Sequence, residues 1–226
     1  MAGQYVAYTF FRVDPAWRRL PIDERAAGKD AFADVVEEFS DRMASLRAYS
    51  TTGVRPECDF FLWKITERYE DLGELGAALN GTPLAGWLTT PYSYLATTKA
   101  SEYTKARKPR QVIPKGSPYL VVYPFTKSIE WYLAPAEERQ AAMKGHMRVG
   151  HAYPQVRQLL AYSFGLDDQE FIVAYEADDL VAFQDLVRAL RATESRRSTV
   201  RDTPIVTGIH RPLADILALL ARGRPA

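Results

Sequence analysis

The chain has 226 residues, of which 47% are hydrophobic and 25% charged, with 29 basic against 28 acidic side chains and a net charge of +1. This is the composition of an ordinary globular protein long enough to bury a substantial core, and its balanced charge supplies no global field for nucleic acid or membrane, so an anionic partner must be met by a local patch. One cysteine, Cys58, and three histidines, His146, His151 and His210, exclude an internal disulfide and a cysteine-based zinc site, and a multi-histidine cage would need nearly all of the imidazoles.

The first residues run straight into an alternating apolar segment. No basic start followed by a long apolar stretch is present, so no signal peptide is read, and no apolar run is long enough to cross a bilayer; a cytoplasmic protein is expected. Gln4–Val13, rich in Tyr, Val and Phe and stopped by Asp14-Pro15, predicts a strand. Phe32, Val35, Val36, Phe39 and Met43 then recur at steps of three and four, the spacing of one helix face, with Pro21, Asp23 and Glu24 near its start. Strands follow near Leu46–Thr52 and Asp59–Thr66, parted by Gly53-Val54-Arg55-Pro56. Cys58 lies against the second of these and reads as a buried structural thiol. A helix over Tyr69–Asn80 ends before Gly81, and a strand lies near Tyr92–Thr98.

The second half repeats the order. A strand at Tyr119–Lys127 precedes a helix from Pro135 to about Ala152. Strands near Gln158–Phe164 and Glu170–Glu176 flank Gly165-Leu166-Asp167-Asp168, a helix spans Leu180–Thr193, and a strand near Pro204–His210 precedes a last helix at Leu213–Arg222. Both halves read β-α-β-β-α-β, which predicts an α+β protein built as a tandem ferredoxin-like repeat, the dimeric α+β barrel type, with antiparallel sheets and helices on one face. The expected partition is an N-terminal half at 1–104, a basic linker at 105–118 and a C-terminal half at 119–226. The linker region holds Lys105, Arg107, Lys108, Arg110 and Lys115, which reads either as a solvated connector or as an anion-binding segment.

The chemistry-bearing side chains gather between 119 and 176. On a helix advancing about 100° per residue, Tyr153 and Gly150 lie within about 40° of His146, whereas His151 lies about 140° away. His146 therefore sits on the stripe expected to face the sheet, either as a hydrogen-bonded core residue or as a ligand. Gly145 and Gly150 each weaken the helix by up to about 1 kcal/mol relative to Ala, a loss that makes sense if something large and flat lies against this face. With no second histidine on the stripe, a single axial ligand to iron fits better than a cage. Tyr123, Phe125 and Lys127 share one face of their strand, with Pro124 predicting an edge or a bulge. They read either as a core tyrosine and a surface lysine or as a redox phenol beside a cation. A lysine turned into a pocket is costly unless it meets an anion.

Several spaced motifs carry a resemblance. Tyr123-Pro124-Phe125-Thr126-Lys127-Ser128-Ile129-Glu130-Trp131-Tyr132, Glu137-Glu138-Arg139 with Met143 and His146, Tyr162 through Phe171, and Arg201-Asp202-Thr203-Pro204 resemble the chlorite dismutase-like superfamily, and within it the chain looks most like the coproheme decarboxylases. The similarity is dense over 119–208 and weaker over 1–118. The resemblance implies the tandem ferredoxin-like fold with a haem-type site in the C-terminal half. His146 matches the proximal metal ligand, Tyr123 the tyrosine that becomes a radical, and Lys127 the lysine that assists at a propionate. Gln158 falls where chlorite dismutases carry a distal arginine. A neutral amide there cannot hold a chlorite-derived anion as a charged fork does, which disfavours chlorite breakdown.

The implied reaction is peroxide-dependent decarboxylation of two propionates of iron-coproporphyrin III (coproheme) to give haem b, with hydrogen peroxide as co-substrate and Arg107, Lys108 and Arg110 as candidates to meet the carboxylates. A homopentamer is implied by resemblance alone. The run Glu194-Ser195-Arg196-Arg197-Ser198-Thr199 departs from the family's usual Glu-Ala-Ser-Arg-Tyr-Thr, putting Arg196 where a serine is expected. Another haem peroxidase or chlorite dismutase-like activity, or a non-enzymatic haem-binding protein, are the competing readings.

Overall fold

The computed structural model describes residues 3–104 and 108–220. In chain order these form β1 (Tyr5–Val13), α1 (Ile22–Ser40), β2 (Ser45–Ser50), β3 (Phe60–Thr66), α2 (Glu70–Asn80), β4 (Leu88–Thr97), β5 (Tyr119–Lys127), α3 (Ile129–Leu133), α4 (Ala136–His151), β6 (Val156–Tyr162), β7 (Phe171–Ala177), α5 (Leu180–Arg191), β8 (Thr199–Arg201), β9 (Val206–His210) and α6 (Leu213–Leu219). The protein is α+β with antiparallel strand pairing, and the β-α-β-β-α-β order occurs twice. Among the described residues no helix is long and apolar enough to cross a membrane.

The described residues divide into two compact units, one within 96–207 and the other holding 3–95 together with 208–220. In the latter, β1 pairs with β3 from Tyr5 opposite Thr66 to Phe11 opposite Phe60, and β2 pairs with the other edge of β3. Phe32, Val36 and Phe39 of α1 meet Phe11, Phe60 and Leu62 of the strands in one buried cluster. Burial of each such side chain is worth roughly 1.5–3 kcal/mol. Gly28 lets α1 approach the chain at Leu84, whose backbone nitrogen would lie 3.3 Å from a Cβ there.

The C-terminal boundary differs from the expected 119–226. Ile216, Leu217 and Leu220 belong to the cluster built around Phe32 and Phe60, and Tyr49 and Ser50 of β2 pair with His210 and Ile209 of β9. The physical reason lies in the amphipathic face of α6, which completes the layer formed by α1, and in Gly208. A Cβ at Gly208 would stand 2.8 Å from that of Tyr49, so only glycine admits this approach.

The repeat extends to the hairpin turns. The N–H of Thr51 bonds to the carbonyl of Asp59 at 2.8 Å, and the N–H of Ser163 bonds to the carbonyl of Glu170 at 2.7 Å. Inside each turn the first residue's carbonyl accepts two N–H groups, from Val54 and Arg55 in one and from Leu166 and Asp167 in the other. Gly53 and Gly165 take the positive φ that each turn demands, +79° and +70°.

In the unit holding 96–207, β7 lies between β5 and β6, so Tyr123 is opposite Val173, while Val121 is opposite Tyr175, which in turn is opposite Gln158. Pro124 keeps its place in the register opposite Ile172, and the irregularity falls later, between Thr126 and Lys127, where β5 turns to β8. α5 starts at Asp179, whose carboxylate accepts from the N–H of Val181 at 2.9 Å and of Ala182 at 3.2 Å. It lays Leu180, Phe183, Leu186 and Leu190 on Val121, Val173 and Tyr175. By contrast, none of the residues of α4 is buried. An amphipathic helix of this length ordinarily seals one face against its sheet.

Candidate functional site

The site is assembled around the 3-10 turn Glu194–Ser198, which packs beside α4 and carries the buried Ser195. His146, half-buried on α4, places its Nδ1 3.1 Å from Ser195 Oγ. Lys127, at the end of β5, donates its ammonium to the carbonyl of the same Ser195 at 2.5 Å. One residue therefore joins the imidazole and the amine predicted from sequence. Ser195 Oγ is also 3.1 Å from Thr193 Oγ1, and the Thr193 hydroxyl donates to the carbonyl of Leu190 at 2.7 Å.

The surroundings set the charge states. Lys127 is only 8% exposed. Its ammonium lies 4.3 Å from the centre of the Trp131 ring and 5.4 Å from that of Phe125, so aromatic faces stand where an anion is missing. Burial, reinforced by Arg196 and opposed by Glu170, brings its pKa down to about 8. Burial also lowers the pKa of His146, and the neighbouring Lys127 cation lowers it further. Both effects favour the neutral imidazole, the form that binds a metal. Glu170 anchors the strand end, accepting from the Lys127 N–H at 2.7 Å and the Tyr132 hydroxyl at 2.5 Å.

Tyr123 stands two residues before Phe125 on the same face of β5. Burial raises its pKa, and the neighbouring Tyr175 phenol opposes the rise. Tyr175 is itself raised well above the ordinary value, first by burial and then by Tyr123. Beside them Arg191 and Arg196 both grip Asp202, at 2.8 Å and 2.6 Å. The three charges act on Tyr123 in both directions, the carboxylate raising its pKa and the two guanidiniums lowering it.

Gln158 lies across from Tyr175 on β6, half-buried on the sheet face that carries Tyr123, but outside the hydrogen-bonded chain of Ser195. His151 is exposed. Arg107 lies outside the described residues, while Lys108 and Arg110 are exposed on the segment before β5 and do not join the chain. That segment is tied down farther along, where fully buried Glu176 accepts from the N–H groups of Lys115 and Gly116 at 2.9 Å each. Sequence reading missed Ser195, Thr193 and Tyr175. It noted the departure at 195–196 but attached it to Arg196, which is engaged with Asp202 instead. The readable signal was a pair of hydroxyls, Thr193 and Ser195, two apart beside the last turn of α5.

The residues present fit a flat iron porphyrin. A Cβ added at Gly150 would meet no atom within 4 Å, so α4 leaves room on the stripe of His146, and Gly145 beside that stripe is equally open. Tyr123, Phe125, Tyr153, Phe183 and Leu190 offer apolar walls that are only partly buried. Among the described residues no cluster of three His, Cys, Asp or Glu could hold a metal ion by itself.

A family model for chlorite dismutase matches residues 25–211. A coproheme decarboxylase from Mycolicibacterium smegmatis is 31% identical over 220 residues, covering 96% of this chain and 94% of that protein. Among solved structures, a point mutant of chlorite dismutase from Candidatus Nitrospira defluvii superposes with a TM-score of 0.89 at 27% identity, over 98% of this chain and 96% of that one. The same organism's chlorite dismutase in complex with imidazole gives a TM-score of 0.87 at 26% identity, over 97% and 95%.

Proposed function

Because the chain belongs to the chlorite dismutase family, we propose that it binds iron-coproporphyrin III and removes carbon dioxide from two of its propionates, using hydrogen peroxide, to leave vinyl groups and haem b. The observation that carries this reading is the single junction at Ser195, which holds an imidazole and a buried ammonium within one hydrogen-bonded unit, with Tyr123 on the strand that delivers the ammonium.

His146 is the residue that holds the iron. Bound there, the iron porphyrin supplies the reductive cleavage of peroxide. Lys127 offers a desolvated cation to a substrate carboxylate, and the two together lower the cost each incurs when buried alone. Tyr123, kept protonated by burial, gives up an electron and its phenolic proton and recovers both as a hydrogen atom from the propionate carbon. Per propionate, one carboxylate, one hydrogen peroxide and one proton become one vinyl group, one carbon dioxide and two waters; the carbon chain is oxidised by two electrons and the O–O bond is reduced by two. Arg191 and Arg196 share one carboxylate, Asp202. The net positive charge that remains favours the anionic rim of the substrate.

The decisive experiment mixes the purified protein with iron-coproporphyrin III and hydrogen peroxide and follows product mass. Loss of two carboxyl groups is expected. A product that keeps all four would end the reading, whatever the binding affinity.

A further inference from the structure

The hydroxyls beside α4 form a chain whose proton direction is fixed from one end. The carbonyl of Leu190 can only accept, so the Thr193 hydroxyl, 2.7 Å away, must donate to it. A hydroxyl has one hydrogen. Thr193 Oγ1 is therefore an acceptor toward Ser195 Oγ at 3.1 Å, and the Ser195 hydrogen is spent on that bond. Ser195 Oγ in turn is left to accept across the 3.1 Å contact with His146 Nδ1. The Ser195 carbonyl already receives the Lys127 ammonium, which together with the burial of Ser195 holds the residue in place.

We propose that Thr193 and Ser195 are positioning residues that fix the tautomer of His146, with the hydrogen on Nδ1 and the lone pair on Nε2. A neutral imidazole in water favours the opposite arrangement, with the hydrogen on Nε2. The relay inverts that preference and leaves bare the nitrogen with which His146 would hold an iron. The inference rests on the reading of His146 as the iron-holding residue only for its purpose; the tautomer itself belongs to the ligand-free chain. The directional element is Thr193. Without its hydroxyl, the Ser195 hydrogen is free to turn toward Nδ1, and the serine changes from an acceptor that keeps the Nδ1–H form into a donor that selects the Nε2–H form.

The test reads imidazole nitrogen shifts in the full-length, ligand-free protein carrying 15N-labelled histidine, with His146 assigned by loss of its signals in His146→Ala. The wild type should show a protonated Nδ1 and a bare Nε2 at His146, while exposed His151 shows the solution preference. Thr193→Val, close in shape, should move His146 toward the Nε2–H form, and Thr193→Ser should restore it. Titration with iron protoporphyrin as the probe should show about tenfold weaker binding for Thr193→Val, in the range known for lost outer hydrogen bonds. A wild-type His146 carrying its hydrogen on Nε2, or an unchanged tautomer in Thr193→Val, overturns the inference even if the protein decarboxylates coproheme. A wild type with the expected tautomer that takes up no porphyrin supports the relay and rejects the functional reading instead.

Discussion

Tyr175 lies against Tyr123 with ring centroids 6.2 Å apart and planes inclined by 28°. Both phenols are shifted upward by burial. Tyr123→Phe should bind iron-coproporphyrin with unchanged affinity while decarboxylation falls by at least about 100-fold, a loss of the size seen when a proton-transferring group is removed. Tyr175→Phe keeps the ring that lies against Tyr123 and should cost far less, no more than about several-fold. Product mass and turnover check both; equal rates in Tyr123→Phe and wild type would remove the phenol from the chemistry.

Lys127 loses its charge on the alkaline side of neutrality, because burial holds its pKa at about 8. In the free enzyme the ammonium that meets a carboxylate is present below that value and absent above it. The kcat/KM for coproheme should fall as pH rises through about 8, and the inflection should vanish in Lys127→Met along with most of the activity. A profile flat from pH 6 to pH 10 in the wild type would show that the amine does not gate binding.

Gly150 leaves open space next to the stripe of His146. Gly150→Leu relieves the conformational penalty of glycine, so the ligand-free protein should be as stable as the wild type or more stable by up to about 1 kcal/mol. The same side chain would intrude on a porphyrin lying against α4. Thermal unfolding and porphyrin titration should therefore move in opposite directions, and a variant that binds porphyrin as tightly as the wild type would place the macrocycle elsewhere.

Lys64, in the unit built around Phe32 and Phe60, is pushed down to about 8 by burial and donates to Thr9 Oγ1 at 2.7 Å. Its folded pKa lies below the unfolded value of 10.5, so the unfolded chain binds more protons between these limits, and stability rises with pH from about 8 to 10.5. The charged form costs the fold something on the order of 1–3 kcal/mol at neutral pH. Lys64→Met should raise the urea midpoint at pH 7, with the gain shrinking as pH climbs through that window. An equal gain at pH 7 and pH 10.5 would show that charge burial is not the cause.

The doubled element order was legible because each element announces itself locally. Phe32, Val36 and Phe39 fall at helical spacing, and Tyr119–Lys127 alternates as a strand should. Tyr123 and Lys127 could be placed on one strand, and His146 on the inward stripe of its helix, by periodicity alone. Ser195 could not. Its role depends on a turn that folds back beside α4, 49 positions away in sequence, and a hydroxyl near a carbonyl has no pattern of its own. The short helix α3 was equally hidden, since Ile129 and Leu133 remain exposed, at 74% and 79%, and give no amphipathic stripe. The attachment of α6 was missed for a related reason. An apolar face says that it must be covered, and nothing in it says by which half of the chain.

That attachment has a consequence for how the molecule is made. The cluster of Phe32, Phe60 and Leu75 comprises residues synthesised early, yet it is closed by Ile216, Leu217 and Leu220. On a ribosome, the first-made sheet emerges with part of its layer of helices still untranslated, and it stays incomplete while the region bearing His146 and Tyr123 is being threaded out behind it. The order of synthesis and the order of closure are thus reversed, and a nascent chain halted before Leu213 holds an unfinished front end.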